Sequence, residues 1–177
     1  MYRKITEYLI EWKDSLYRKP LILQGARQVG KTTLLKYMKS ELPYLTLDDP
    51  ILLQSAIEEA GSFFKMMPPP IIVDEIQYAP NLFSYIKMSA DESGRKGQFF
   101  LTGSQQFKMM KNVSESLAGR IGIINLLGLS LREINHDAFN EAFVPTDEYF
   151  KIRKTSVRQT DYKEIWEVIH KGSMPAM

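Results

Sequence analysis

Residues 21–38 read LILQGARQVGKTTLLKYM: a short apolar run, a loop bounded by two glycines, and a Lys-Thr junction into material that suits a helix. Gly25, Gly30, Lys31 and Thr32 satisfy G-x-x-x-x-G-K-[ST], a pattern that average residue frequencies place in a chain of this length roughly once in a hundred. The run "LIL" meets glycine too soon to be a helix, so it reads as a buried strand. Strand, glycine loop and helix in that order aim successive backbone N–H groups, and the helix N-terminus, at an anion. Glycines let the backbone approach phosphates, Lys31 would reach the β and γ oxygens, and Thr32 would offer its hydroxyl to magnesium. An ordinary glycine turn has no use for that lysine and threonine. The expected binding segment is Gly25, Ala26, Arg27, Gln28, Val29, Gly30, Lys31, Thr32 and Thr33, with ATP and Mg2+ as its ligands.

A magnesium nucleotide also needs an acid at the carboxyl end of a neighbouring strand, because the ion keeps several waters and takes few protein carboxylates. "PPPIIVDEIQ", residues 68–77, is an apolar strand closed by two acids. Asp74 is the natural magnesium partner and Glu75 the natural base to orient an attacking water. Thr102 and Ser104 in "LTGSQ" end another strand, where hydroxyls can sense a γ-phosphate or simply form a turn. Arg120 in "SLAGRIG" precedes a further strand. Its residue chemistry fits two roles equally: a cation at a helix C-terminus, or an arginine stabilising transition-state charge on a neighbouring subunit's nucleotide.

Around these motifs, strands alternate with helices. Ile5, Tyr8, Leu9, Trp12 and Leu16 make one stripe of an amphipathic helix over residues 3–17, ended by Pro20. Helices are expected over 31–40, from Pro50 onward, over 81–92, over 113–119 and from Ser130, and strands at 21–23, 44–47, 68–77, 97–104 and after Arg120. The fold class is therefore α/β, with five strands in a mostly parallel sheet and helices on both faces. Helix capping, with Asp49 as cap and Pro50 in the first turn, explains Asp48 and Asp49 without chemistry. From residue 138 onward the pattern fades, and only 161–171, with Ile165, Trp166, Val168 and Ile169, reads as helix. This divides the chain into a body, residues 1–137, and a polar connector leading to a helical region, residues 138–177.

Several classes of chemistry drop out. The chain has no cysteine and two histidines, His136 and His170, which leaves little for thiolate or histidine metal sites. Both histidines read as surface or packing residues. A net charge of +2 creates no field that argues for nucleic acid. The cluster Lys151, Arg153, Lys154 and Arg158 reads as a solvated face, and Tyr8 and Trp12 as core rather than a shelter for adenine. No apolar run approaches the ~20 residues of a bilayer span, and the charged N-terminus lacks the apolar centre of a secretory signal, so a cytoplasmic protein without membrane partners is expected.

Together, "GARQVGKT", "DEIQYAPNLF", "LTGSQ", "SLAGR" and "LSLREI" resemble a prokaryotic family of AAA+ superfamily ATPases, over about residues 2–137. The resemblance implies the strand order 5-1-4-3-2, with the phosphate loop after the first strand and the acids on the third. It places an arginine finger at Arg120, and with it a homo-oligomer. It also implies an attached C-terminal domain, of which "IWEVIHKGSMPAM" looks like the opening. Members of the family continue well past this point, so the expectation is that most of that domain, with any lid-borne sensor arginine, is missing from this chain. Gly128 stands where the family commonly has proline, a change expected to affect a turn.

Two functions follow. The first is an ATPase that turns hydrolysis into a conformational change in an attached domain or an unknown protein partner. The second is a nucleotide-gated module that orders a surface for a protein or nucleic acid with negligible turnover. A GTP-specific switch is disfavoured, since the chain has no Asn-Lys-x-Asp segment.

Overall fold

The computed structural model describes residues 3, 5–7, 9, 19–95, 97–104, 119–137, 139, 141–156 and 160–175. Strand β1 (Leu21–Gly25) leads through the glycine loop to helix α1 (Lys31–Met38), then β2 (Tyr44–Thr46), α2 (Pro50–Glu58), α3 (Ala60–Met66) and β3 (Ile71–Asp74). A 3-10 turn (Ile76–Tyr78), α4 (Leu82–Ser93), β4 (Phe99–Ser104), β5 (Gly122–Asn125), α5 (Leu131–Ile134), α6 (Asp147–Ser156) and α7 (Tyr162–Lys171) follow.

The five strands form one sheet in the order β2-β3-β4-β1-β5, which is 5-1-4-3-2 read from the other edge. Every pairing is parallel. Parallel strands need crossovers that cover both faces, which is why β1, β3 and β4 are buried along their whole length, whereas the edge strand β5 alternates. Within each strand the two-residue period still sorts side chains. Ile22, Ile71, Val73, Phe99 and Leu101 face one layer, packed against Ala56, Ala60, Phe63, Leu82, Phe83 and Ile86 of α2, α3 and α4. Leu21, Leu23, Ile72 and Phe100 face the other, against Leu34 and Leu35 of α1. Ile5 and Leu9, from the expected N-terminal stripe, lie on this second layer. Tyr8, Trp12 and Leu16 lie outside the described residues, as do Arg158 and all but Gly119 of the expected helix at 113–119.

Asp49 caps α2 as expected, its side chain accepting from the N–H groups of Ile51 and Leu52, with Pro50 at the first helical position. Ser130 caps α5 as expected, through a capping box; that helix runs to Ile134, and His136, at φ 53°, turns the chain away. Two sequence expectations are corrected. The polar stretch after residue 138 contains a whole helix, α6. Its aromatic side gives it purchase: Phe139, Phe143, Tyr149 and Phe150 stack edge to face, an arrangement a mostly charged sequence hides. Arg153 is not simply solvated, since it pairs with Asp137 at 3.2 Å and lies over the Phe139 ring. After α7, residues 172–175 turn back onto the body, with the Ser173 carbonyl accepting from Leu129 N–H at 2.6 Å and Met174 packed on the α1 side of the core.

Candidate functional site

In a parallel sheet the carboxyl ends of the strands share one edge, and there the loops after β1 and β3 meet. Gly25 ends β1 so close to the backbone after β5 that a Cβ would fall on the carbonyl oxygen of Leu126. Gly30 takes φ 90° at the cap of α1, a conformation that disfavours side chains. No side chain caps this helix and no acid stands in its first turn, so its leading N–H groups are left for an external anion. Asp49 does the opposite at α2, filling that role itself.

A cleft of about 710 Å3 opens over this helix end, a size suited to a small-molecule ligand. Arg27, Gln28, Val29, Gly30, Lys31, Thr32 and Thr33 line it, and Glu75 and Tyr78 close one side. Gly25 and Ala26 contribute carbonyls that accept from Lys31 Nζ at 3.1 and 2.8 Å. Burial pushes the Lys31 ammonium below its ordinary range, against the pull of the Glu75 and Asp74 carboxylates, and Arg27 pushes the same way as burial. An arriving polyanion would supply the charge that this buried ammonium lacks.

Asp74, buried at the end of β3, gathers three hydroxyls. Thr32 Oγ1 donates to its two oxygens at 2.9 and 3.0 Å, Tyr44 Oη donates at 2.7 Å, and Thr102 Oγ1 donates as well. A threonine hydroxyl beside a carboxylate is the hard-oxygen chemistry that a small divalent cation takes. Burial and donation to Asp74 push the Tyr44 phenol upward. Thr102 does double duty, since its hydroxyl also accepts from the Glu75 N–H at 3.2 Å.

Glu75 stands in the left-handed region at φ 56°, an arrangement a non-glycine residue holds only under constraint from its surroundings. It turns the chain from β3 into the 3-10 turn and leaves the two adjacent acids with separate surroundings. Gln77 Nε2 donates to the Glu75 carboxylate and, at 3.2 Å, to Ser104 Oγ. Thr102 thus sits with Asp74, and Ser104 with the Glu75–Gln77 pair.

Arg120 is elsewhere. It is half exposed and paired through Nε with Asp91 at 3.0 and 3.1 Å, near the end of α4. Gly122 pairs with Leu21, the first residue of β1, so Arg120 lies at the amino edge of the sheet. Five residues of β1 at ~3.3 Å each separate that edge from the phosphate loop.

Four residues near the cleft went unsingled in the sequence: Tyr44, Gln77, Arg3 and Pro175. Tyr44 reads there as one more strand residue, and its partner Asp74 is thirty positions away. Asp48, set aside with Asp49 as a capping pair, lines the cleft; capping accounts for Asp49 only. Pro175 lies on Gly30 and lines the cleft too.

A family model described as an AAA domain matches residues 17–135. Over 154 residues the chain is 30% identical to an uncharacterized protein of Mycobacterium tuberculosis, an alignment covering 76% of this chain and 33% of that protein. Over 122 residues it is 26% identical to an uncharacterized protein of Methanocaldococcus jannaschii, covering 63% of this chain and 27% of the relative. The chain therefore spans a third or less of the length of these curated relatives. Among solved structures it is similar to the Walker-type ATPase PABY2304 of Pyrococcus abyssi, with a TM-score of 0.56 at 18% identity, covering 98% of this chain and 64% of that one. That likeness is one of fold. Among the described residues no helix is long and apolar enough to cross a membrane. With a phosphate-type loop on a 5-1-4-3-2 parallel sheet and a match across most of its length, the chain belongs to the AAA-domain family of P-loop ATPases.

Proposed function

We propose that this chain binds Mg-ATP in the cleft over α1 and hydrolyses it. The observation that carries the reading is the Thr32–Asp74 contact, which joins the phosphate loop to the acid of β3 across forty-two positions. Lys31 and the leading N–H groups of α1 would take the β- and γ-phosphates. Thr32 and Asp74 would hold magnesium, which supplies charge neutralisation on those phosphates when bound. Glu75, on the cleft wall, would orient the attacking water and accept its proton. Gln77 donates to one oxygen of that carboxylate, Oε2, and would help to orient it toward the water. Ser104, on the same amide, would register a γ-phosphate, while Thr102, bonded to Asp74 and to the Glu75 N–H, would keep those two residues in register.

Arg120 would act on the nucleotide of a second copy, because its own cleft is at the other edge of its sheet; this reading makes the active form an oligomer. Residues 1–137 would be the ATP-binding body and 138–177 the connector to a helical region. Pro175 on Gly30 offers the route from the nucleotide to whatever that region joins. The competing reading is a nucleotide-gated module without turnover, in which Gln77 would hold the Glu75 carboxylate away from a water. Glu75→Gln separates the two: under the ATPase reading it keeps ATP binding and lowers turnover by roughly a hundredfold or more, whereas in a gated module it changes neither.

A further inference from the structure

The carboxylate of Asp74 is held from both flanks. β3 lies between β2 and β4 in the sheet, and each neighbour sends a hydroxyl to one oxygen of the acid. From β4, Thr102 Oγ1 donates to Oδ1; from β2, Tyr44 Oη donates to Oδ2 at 2.7 Å; from α1, Thr32 Oγ1 lies against both. A hydroxyl at the Tyr44 distance makes the short bond typical of a charged acceptor. The last torsion of an aspartate is broad, so a carboxylate bonded at one oxygen can still swing. Bonds to both oxygens, from two different strands, fix its plane.

Tyr44 reaches the acid on a diagonal. In register, Tyr44 stands opposite Ile72 and Thr46 opposite Asp74, so the phenol passes two residues forward along β3. Residues two apart on a strand share a face, and the Tyr44 ring packs with Ile72 on the α1 layer of the core. There Lys36 Nζ lies 3.5 Å from the ring centroid. Lys36 and Thr32 are four apart on α1 and so share one side of that helix. The helix that starts at the phosphate loop thus bears on both the acid and the tyrosine that holds it. We infer that Tyr44 is a positioning residue for the metal site: its hydroxyl fixes the Asp74 carboxylate in the orientation in which, with Thr32, it would hold magnesium. This rests on the nucleotide reading above and gives β2, otherwise without a part in the chemistry, a role in metal affinity.

The test is calorimetric titration of ATP, first in EDTA and then in excess Mg2+, into the chain and its Tyr44→Phe, Asp74→Asn and doubly substituted variants. Tyr44→Phe keeps the ring and its packing and removes the hydroxyl alone. In wild type, magnesium should tighten ATP binding. Tyr44→Phe should match wild type within about twofold in EDTA and lose about tenfold or more of the gain from magnesium, the usual effect of removing an outer partner of a metal-binding carboxylate. The Mg2+ concentration that half-saturates turnover should rise with that loss. Because Tyr44 acts through Asp74, the double variant should bind no more weakly than Asp74→Asn alone. A full magnesium gain in Tyr44→Phe, an equal loss with and without magnesium, or a further loss in the double variant would overturn the inference. A wild type that bound ATP but was indifferent to magnesium would remove the metal role of Thr32 and Asp74, and this inference with it, while nucleotide binding stood. A wild type that bound no ATP would remove the nucleotide reading itself.

Discussion

At the scale of residues, the site is a set of hydroxyls and one ammonium arranged around two acids. Each hydroxyl on Asp74 is a donor to a carboxylate, and removing one leaves the others to carry it. Tyr44→Phe should therefore cost about 1–2 kcal/mol in chemical denaturation without unfolding the chain. Gly25→Ala is different in kind, because the added carbon falls on the Leu126 carbonyl. The strand end or the loop must move, and the expected result is a lowered melting temperature together with lost ATP binding. Much of this site was readable in advance. Lys31, Thr32, Asp74 and Glu75 declare themselves by spacing, since phosphate chemistry ties residue type to position along the chain. Tyr44, Gln77 and Arg3 do not, because their roles consist of partners brought together by folding: Arg3 meets Leu127 across 124 positions. Thr102 and Ser104 were visible as a pair, but only their neighbours, Asp74 for one and Gln77 for the other, tell them apart.

At the scale of elements, the strands are strong signals and the last helices weak ones. Ile71 to Val73 is apolar on both faces because helices cover both, and such a run is hard to miss. Phe63 of α3 is fully buried against that sheet. Phe63→Ala should cost about 3–5 kcal/mol of stability, read from denaturant midpoints. Asp49→Ala, which removes the cap of α2, should cost about 1 kcal/mol by the same measurement. Helix α6 was invisible by pattern because its stabilising contacts are aromatic and come from outside it. Phe139 and Phe143 precede the helix and close onto Tyr149. Helix α7 was visible because its apolar residues keep helical spacing, yet Ile165, Trp166 and Ile169 stay largely exposed. Periodicity reports that a helix has an apolar face; it does not report what that face meets.

At the scale of the whole molecule, the two ends of the chain converge on one cleft. Arg3 and Pro175 both line it, and Pro175 lies on Gly30 of the phosphate loop; under the proposed function this contact would connect nucleotide occupancy to the segment after α7. Arg120, at the far edge of the sheet, could reach a nucleotide only on a second copy, which is why the proposed active form is an oligomer. Turnover per molecule should therefore rise with protein concentration, and Arg120→Ala should remove that rise while leaving ATP affinity unchanged. A constant turnover per molecule, with Arg120→Ala equal to wild type, would remove the trans role. If this cleft is a working ATPase site, ATP turnover with binding measured in parallel for wild type, Glu75→Gln and Lys31→Ala shows it most directly. Wild type should show turnover and binding, Glu75→Gln binding alone, and Lys31→Ala neither. Full turnover in Glu75→Gln, or undiminished ATP affinity in Lys31→Ala, would contradict that assignment.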